Sequence, residues 1–108
     1  MTDLKLLNSS NWNEFFNSKL VYVMFSKSDC VQCTILESEI ESYGFPNEIS
    51  MCKVRLDEPG LAEMKMRHTW ISNIDILPFN AILSDGKLIE YWSGKGINRL
   101  NNRLKKYI

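Results

Sequence analysis

The sequence is short of almost every feature that marks a nucleic-acid-binding, membrane-spanning or modular protein. Its 13 basic and 13 acidic residues cancel, so no net field draws it to nucleic acid or to an anionic membrane. Its densest apolar run, Leu20 to Phe25, is far shorter than the roughly 20 residues that cross a bilayer. No internal repeat, low-complexity tract or linker interrupts it, and 108 residues make one expected domain, 1–108. Met1 to Lys5 lacks the basic start and small-residue cleavage site of a secretory signal, so the expected setting is a monomer in the cytoplasm.

Histidine and cysteine are scarce as well, and each scarcity narrows the chemistry. With an apolar content of 44% the chain buries a core without disulfide staples. Its three cysteines are therefore free for redox chemistry or metal. A four-ligand zinc site would have to take all of Cys30, Cys33, Cys52 and the single His68. The placement of Cys52 inside a predicted strand and of His68 at a helix end argues against it, because zinc ribbons present their ligands from paired tight turns. No metal is expected.

What is present reads as alternating strands and helices. Leu4 to Leu7 is a short first strand, followed by Asn11 and Glu14 in capping-box spacing. Trp12, Phe15 and Phe16 share one helical face. Leu20 to Phe25 reads as a strand buried on both sides. A helix begins at the cysteine pair, with Leu36, Ile40 and Tyr43 in one stripe and Glu37, Glu39 and Glu41 solvated, and it ends at Gly44 and Pro46. Met51 to Leu56 is a further strand. Pro59 sits just inside the next helix, which runs to about His68. Asn80–Leu83 and Leu88–Trp92 flank Asp85-Gly86, a hairpin signal. Ile97, Leu100, Leu104 and Ile108 make an amphipathic last helix, with Arg103, Lys105 and Lys106 at its negative dipole end. The order β-α-β-α-β-α-β-β-α predicts an α/β fold: a central mixed sheet of five strands flanked by four helices.

Cys30-Val31-Gln32-Cys33 follows a buried strand and opens a helix. There the unsatisfied N–H groups and the positive end of the dipole favour a thiolate, lowering the first cysteine below the free-thiol value of about 8.5. Cys30 would attack a substrate disulfide and Cys33, one turn along, would displace the product. The pair would itself be the redox group, with no other cofactor.

These residues resemble the thioredoxin superfamily over nearly the whole chain. The strand Val21 to Phe25, the Cys-x-x-Cys at a helix start, Ile76-Leu77-Pro78 before a strand and Gly94 before the last helix stand in thioredoxin order. The resemblance implies a thioredoxin fold, a cis Pro78 beside the cysteines, and a groove in which Leu77 and Pro78 hold substrate like an added strand. Without the cysteines, Pro78 would simply start a strand. The departures are specific. Met24 stands where thioredoxins carry a buried aspartate that helps deprotonate the second cysteine, and Ser38 replaces a helix-kinking proline. Asp29 adds negative charge beside the nucleophile and opposes its ionisation. The Val31-Gln32 spacer, its preceding loop and Trp92-Ser93-Gly94 resemble the NrdH-type redoxins, glutaredoxin-like electron donors to ribonucleotide reductase.

The resemblance thus implies a reductant of protein disulfides, with ribonucleotide reductase as one partner and a reductase such as thioredoxin reductase as another. Asp29, Val31, Gln32, Leu77, Pro78 and Trp92 are the substrate-binding candidates. A glutathione-dependent glutaredoxin and a non-enzymatic or metal-binding adaptor of the same fold are the alternatives. Trp92 fits either the core or the partner groove, and Trp70 either domain packing or a partner contact. Cys52 reads as a small buried hydrophobe, with a regulatory thiol as the alternative. His68 reads as a dipole or surface residue.

Overall fold

The computed structural model describes residues 2–108. Five strands form one sheet: β1 (Lys5–Leu6), β2 (Val21–Ser26), β3 (Ser50–Arg55), β4 (Phe79–Ser84) and β5 (Lys87–Ser93). Their order across it is β1-β3-β2-β4-β5. The first three run parallel, β4 pairs antiparallel with β2, and β5 pairs antiparallel with β4. Parallel neighbours need crossovers, which are supplied by α1 (Trp12–Phe16) and α2 (Val31–Glu41). A third helix, α3 (Ala62–Arg67), and a 3-10 turn over Thr69–Asn73 lead to β4, and α4 (Ile97–Leu104) closes the chain.

The central strand β2 has no polar face because both sides are covered. Val21, Val23 and Phe25 pack with Trp12, Phe16 and Met64 on one side of the sheet. Tyr22 and Met24 pack with Leu36, Ile40 and Leu100 on the other. Each of these side chains removed from water contributes about 1.5–3 kcal/mol. The expected mixed five-strand sheet with four helices is what forms.

Local chemistry shifts several expected boundaries. The box between Asn11 and Glu14 does not form: Asn11 is the N-cap residue but has near-helical torsions and makes no side-chain cap bond. Asn8 turns the chain instead, its Oδ1 accepting from Ser10 N at 2.8 Å and Asn11 N at 3.0 Å. Pro59 lies outside its helix, because Gly60 takes a φ of +89° and no helix passes through that conformation. Tyr43 falls beyond the end of α2 and packs on Phe45 at 4.6 Å. Ile108 lies past α4 and is exposed. The basic C-terminus has a definite partner rather than the dipole alone. Arg103 Nη1 and Lys106 Nζ each donate to Glu90 Oε1 at 2.9 Å, and Tyr107 Oη donates to Glu90 Oε2 at 2.6 Å, fastening α4 to β5. The hairpin forms at Asp85-Gly86, both with positive φ (51° and 84°), as a tight turn between twisted strands demands.

Candidate active site

The site stands at the carboxyl end of β2, where the strand gives way to α2. Ser26 ends the strand, and Asp29 reverses the chain with a φ of +64°, a conformation that Asp tolerates better than most residues. Ser28 N donates to Asp57 Oδ2 at 3.2 Å, tying this loop to the segment after β3. The hydrogen bonds from Ser28 hold the Asp57 carboxyl below its ordinary value. Cys30 is the N-cap of α2, and its Sγ accepts from Cys33 N at 3.2 Å. Its carbonyl accepts from Thr34 N and Thr34 Oγ1, each at 3.2 Å. The first cysteine therefore occupies the one position where a sulfur anion would meet a helix N–H and the positive dipole end together.

Cys30 and Cys33 are joined as a disulfide, with Cα atoms 5.3 Å apart. The two sulfurs are unequally reachable. Cys30 is half-buried while Cys33 is 3% exposed. Between them Val31, 71% exposed, and Gln32 face solvent with Asp29.

The segment Ile76-Leu77-Pro78 leads into β4, whose Phe79 is in register with Phe25 near the carboxyl end of β2. The Leu77–Pro78 bond is cis, Pro78 is buried, and Pro78 O accepts from Gly94 N at 2.8 Å. Among the described residues, neither N–H nor C=O of Leu77 takes part in a main-chain hydrogen bond. An extended segment needs such free groups to pair as an added strand. Ile76 is exposed beside it, an apolar neighbour outside the expected substrate-binding set. Of the two placements open to Trp92, the ring takes the core. It is 5% exposed, beside Tyr22, with the Arg103 guanidinium 4.6 Å from its centroid.

Beneath the first turn of α2 a polar cleft of about 270 Å³ opens, lined among others by Ser26, Asp29, Cys33, Thr34, Glu37 and Arg55. Glu37 is not solvated as expected: its Oε1 accepts from Lys53 Nζ on β3. Glu39 also departs from expectation, with Oε1 covered and unpaired among the described residues.

The remaining cysteine and the histidine lie elsewhere. Cys52 is wholly buried on the α1 and α3 side, opposite α2, and burial pushes its thiol up to about 12. His68 caps α3 at its carboxyl end and packs edge-on against Trp12, Phe16 and Trp70, at 6.0, 5.0 and 6.2 Å. Burial, with help from Arg67, holds its imidazole below the ordinary value, so it is no dipole-seeking cation. Trp70 packs within the same layer, against Phe25 and Phe79. The residues that a Cys3His zinc site would need are thus held apart by the sheet. Among the described residues no helix is long and apolar enough to cross a membrane.

No protein-family model matches the sequence, and no curated protein matches it. Solved structures do. A thioredoxin of Malassezia sympodialis superposes with a TM-score of 0.79 at 14% identity, over 99% of this chain and 92% of that one. Thioredoxin f2 of Chlamydomonas reinhardtii gives 0.78 at 16%, over 97% and 96%. The oxidised thioredoxin of Plasmodium falciparum gives 0.77 at 20%, over 97% and 98%. The chain has the thioredoxin fold, with its Cys-x-x-Cys pair at the amino end of α2.

Proposed function

We propose that the protein is a thiol–disulfide oxidoreductase that reduces disulfides in other proteins. The observation that carries this reading is Cys30 at the N-cap of α2, its sulfur accepting the Cys33 N–H and already bonded to Cys33. In the reduced state Cys30 attacks one sulfur of a substrate disulfide, and the other leaves as a thiolate. Cys33 loses its proton and attacks Cys30 Sγ, so the mixed disulfide breaks and the Cys30–Cys33 bond forms. Two electrons pass to the substrate, and a reductase restores the dithiol. The fold needs no cofactor for this beyond the pair itself. The free main-chain groups of Leu77, with Ile76 and Val31 exposed nearby in sequence to the two halves of the site, suit an extended polypeptide as substrate.

The Val31-Gln32 spacer favours ribonucleotide reductase among protein substrates and a reducing cytoplasm as the setting. Insulin reduction coupled to thioredoxin reductase and NADPH is the test, with glutathione and its reductase as the second arm. Turnover in the first arm, lost in Cys30→Ser, is the expected result. Turnover with glutathione alone would reassign the protein as a glutaredoxin, and none in either arm would overturn the proposal.

A further inference from the structure

The resolving step asks for something the sheet beneath α2 does not supply. Cys33 is buried, and a thiol cannot attack until its proton has gone somewhere. The residue of β2 at that depth is Met24, which is apolar and wholly buried. Its parallel partner in register on β3 is Lys53, a cation. The next pair toward the site is Ser26 with Arg55, a hydroxyl and a second cation. None of the four accepts a proton from a thiol near neutral pH.

A carboxylate does stand on the helix. Glu37 follows Cys33 by four residues in α2, so the two lie on one face with Cβ atoms about 5–6 Å apart. Both line the polar cleft under that turn, a space of about 270 Å³ with room for water between thiol and carboxylate. Lys53 Nζ anchors the carboxylate from below, and the Glu37 side chain is 23% exposed, so the cleft leads outward. The other charged groups facing the cleft are Arg55 from β3 and Lys27 and Asp29 from the loop before α2. Asp29 is a carboxylate too, but it is exposed and lies in the loop ahead of Cys30, not on the helical face of Cys33.

We infer that Glu37 is the positioning base of the resolving half-reaction, an inference that rests on the proposed oxidoreductase function. The Cys33 proton passes through cleft water to Glu37, the Cys33 thiolate attacks Cys30 Sγ, and the product sulfur leaves as a thiolate. Glu37 then returns its proton to solvent through the same cleft.

The test separates the half-reactions in a stopped-flow experiment with a chromogenic aromatic disulfide. Attack by Cys30 releases one aromatic thiolate, and closure by Cys33 releases the second. Glu37→Gln is expected to leave the first phase unchanged and to slow the second about tenfold or more near neutral pH. Its second phase should then rise with pH along the ionisation of the thiol itself. Glu37→Asp, which keeps an acceptor on a shorter arm, should recover most of the rate. Lys53→Gln frees the carboxylate from its anchor but leaves it in place, so its second phase should slow less than that of Glu37→Gln and keep the pH profile of the unsubstituted protein.

Equal slowing in Glu37→Gln and Lys53→Gln with the same change of pH profile would mean that the pair is merely structural, and would overturn the inference. So would an unchanged second phase in Glu37→Gln, a Glu37→Asp protein as slow as Glu37→Gln, or slowing in Asp29→Asn alone. Absence of any first phase in the unsubstituted protein would instead overturn the oxidoreductase reading.

Discussion

Asn80 is the residue whose removal tests the packing logic most sharply. It is wholly buried within the sheet and uses both ends of its side-chain amide. Its Oδ1 accepts from Tyr22 Oη at 2.6 Å, and its Nδ2 donates to the carbonyls of Trp92 at 3.2 Å and Gly94 at 2.9 Å. Burial raises Tyr22 well above the ordinary phenol value, which favours the protonated phenol as a donor. The arrangement fastens the turn at Gly94, where φ is +101° and the chain leaves β5 for α4. Asn80→Leu keeps the volume and strands one phenol and two carbonyls. Each buried group left without a partner costs about 1–3 kcal/mol. The carbonyls retain other lone pairs, and Gly94 is only partly buried, so the lower end applies: about 2–4 kcal/mol in all. In a chain of this size that lowers Tm by roughly 10–25 °C.

Tyr22→Phe alone should cost about 1–2 kcal/mol, because it leaves Oδ1 empty. Combining the two removes a donor and its acceptor together, and the double variant should be more stable than the sum of the singles by about 1 kcal/mol. Urea unfolding of the oxidised protein measures all four corners, provided the slope stays constant. An Asn80→Leu protein with an unchanged midpoint, or strictly additive losses, would refute the reasoning.

Three further outcomes follow from particular environments. Iodoacetamide on the native, reduced protein should label Cys30 first and leave Cys52 untouched until the chain unfolds, since burial has pushed that thiol up to about 12. Peptide mass mapping checks it, and native labelling of Cys52 would revive its reading as a regulatory thiol. For His68, the imidazole resonances should titrate with a midpoint below the free value of about 6.5. The folded state therefore disfavours the charged ring, and the stability this confers, present above the unfolded value, is lost as pH falls; a midpoint at or above the free value would refute it. Glu90 is desolvated, which alone would raise its carboxyl, but Tyr107, Lys106 and Arg103 together hold it below the ordinary value. Glu90→Gln should cost about 1 kcal/mol at neutral pH. That cost is full above the unfolded carboxyl value of about 4.3 and fades as pH falls through the lower folded one, so a pH-independent difference would count against the cluster.

Elements defined by local pattern were legible in the sequence. The β-branched run of β2, the Asp85-Gly86 turn and the three- and four-residue spacing in α4 each carry their instruction within a few neighbouring residues, and the Cys-x-x-Cys at a helix start does the same for the chemistry. Contacts made across the sheet were not. Asn80 disfavours a strand by propensity, and its reason for being there is Tyr22, 58 residues away. Glu37 looked like one of three solvated acids because nothing local announces Lys53, 16 residues further on. Its spacing from Cys33 was the one local clue. Pro59 misled for a related reason, since a proline that fits the first turn of a helix fits the turn before it equally well, and Gly60 decided between them.

The α2 face of the sheet changes character along its length, and that gradient places the chemistry. On β2 the side chains pass from Tyr22 through Met24 to Ser26, and their neighbours on β3 from Met51 through Lys53 to Arg55. Apolar contact at one end holds the body of α2 through Leu36 and Ile40. At the carboxyl end the same face turns polar, so the first turn of the helix rests over a cleft rather than on core. Ligands of open α/β sheets gather at the carboxyl ends of strands for the same reason: helix amino ends and free polar groups converge there. An apolar residue in place of Ser26 or Lys53 would seat that turn more firmly. It would also close the space through which the proton of Cys33 has to leave, so the loose packing under the first turn belongs to the mechanism.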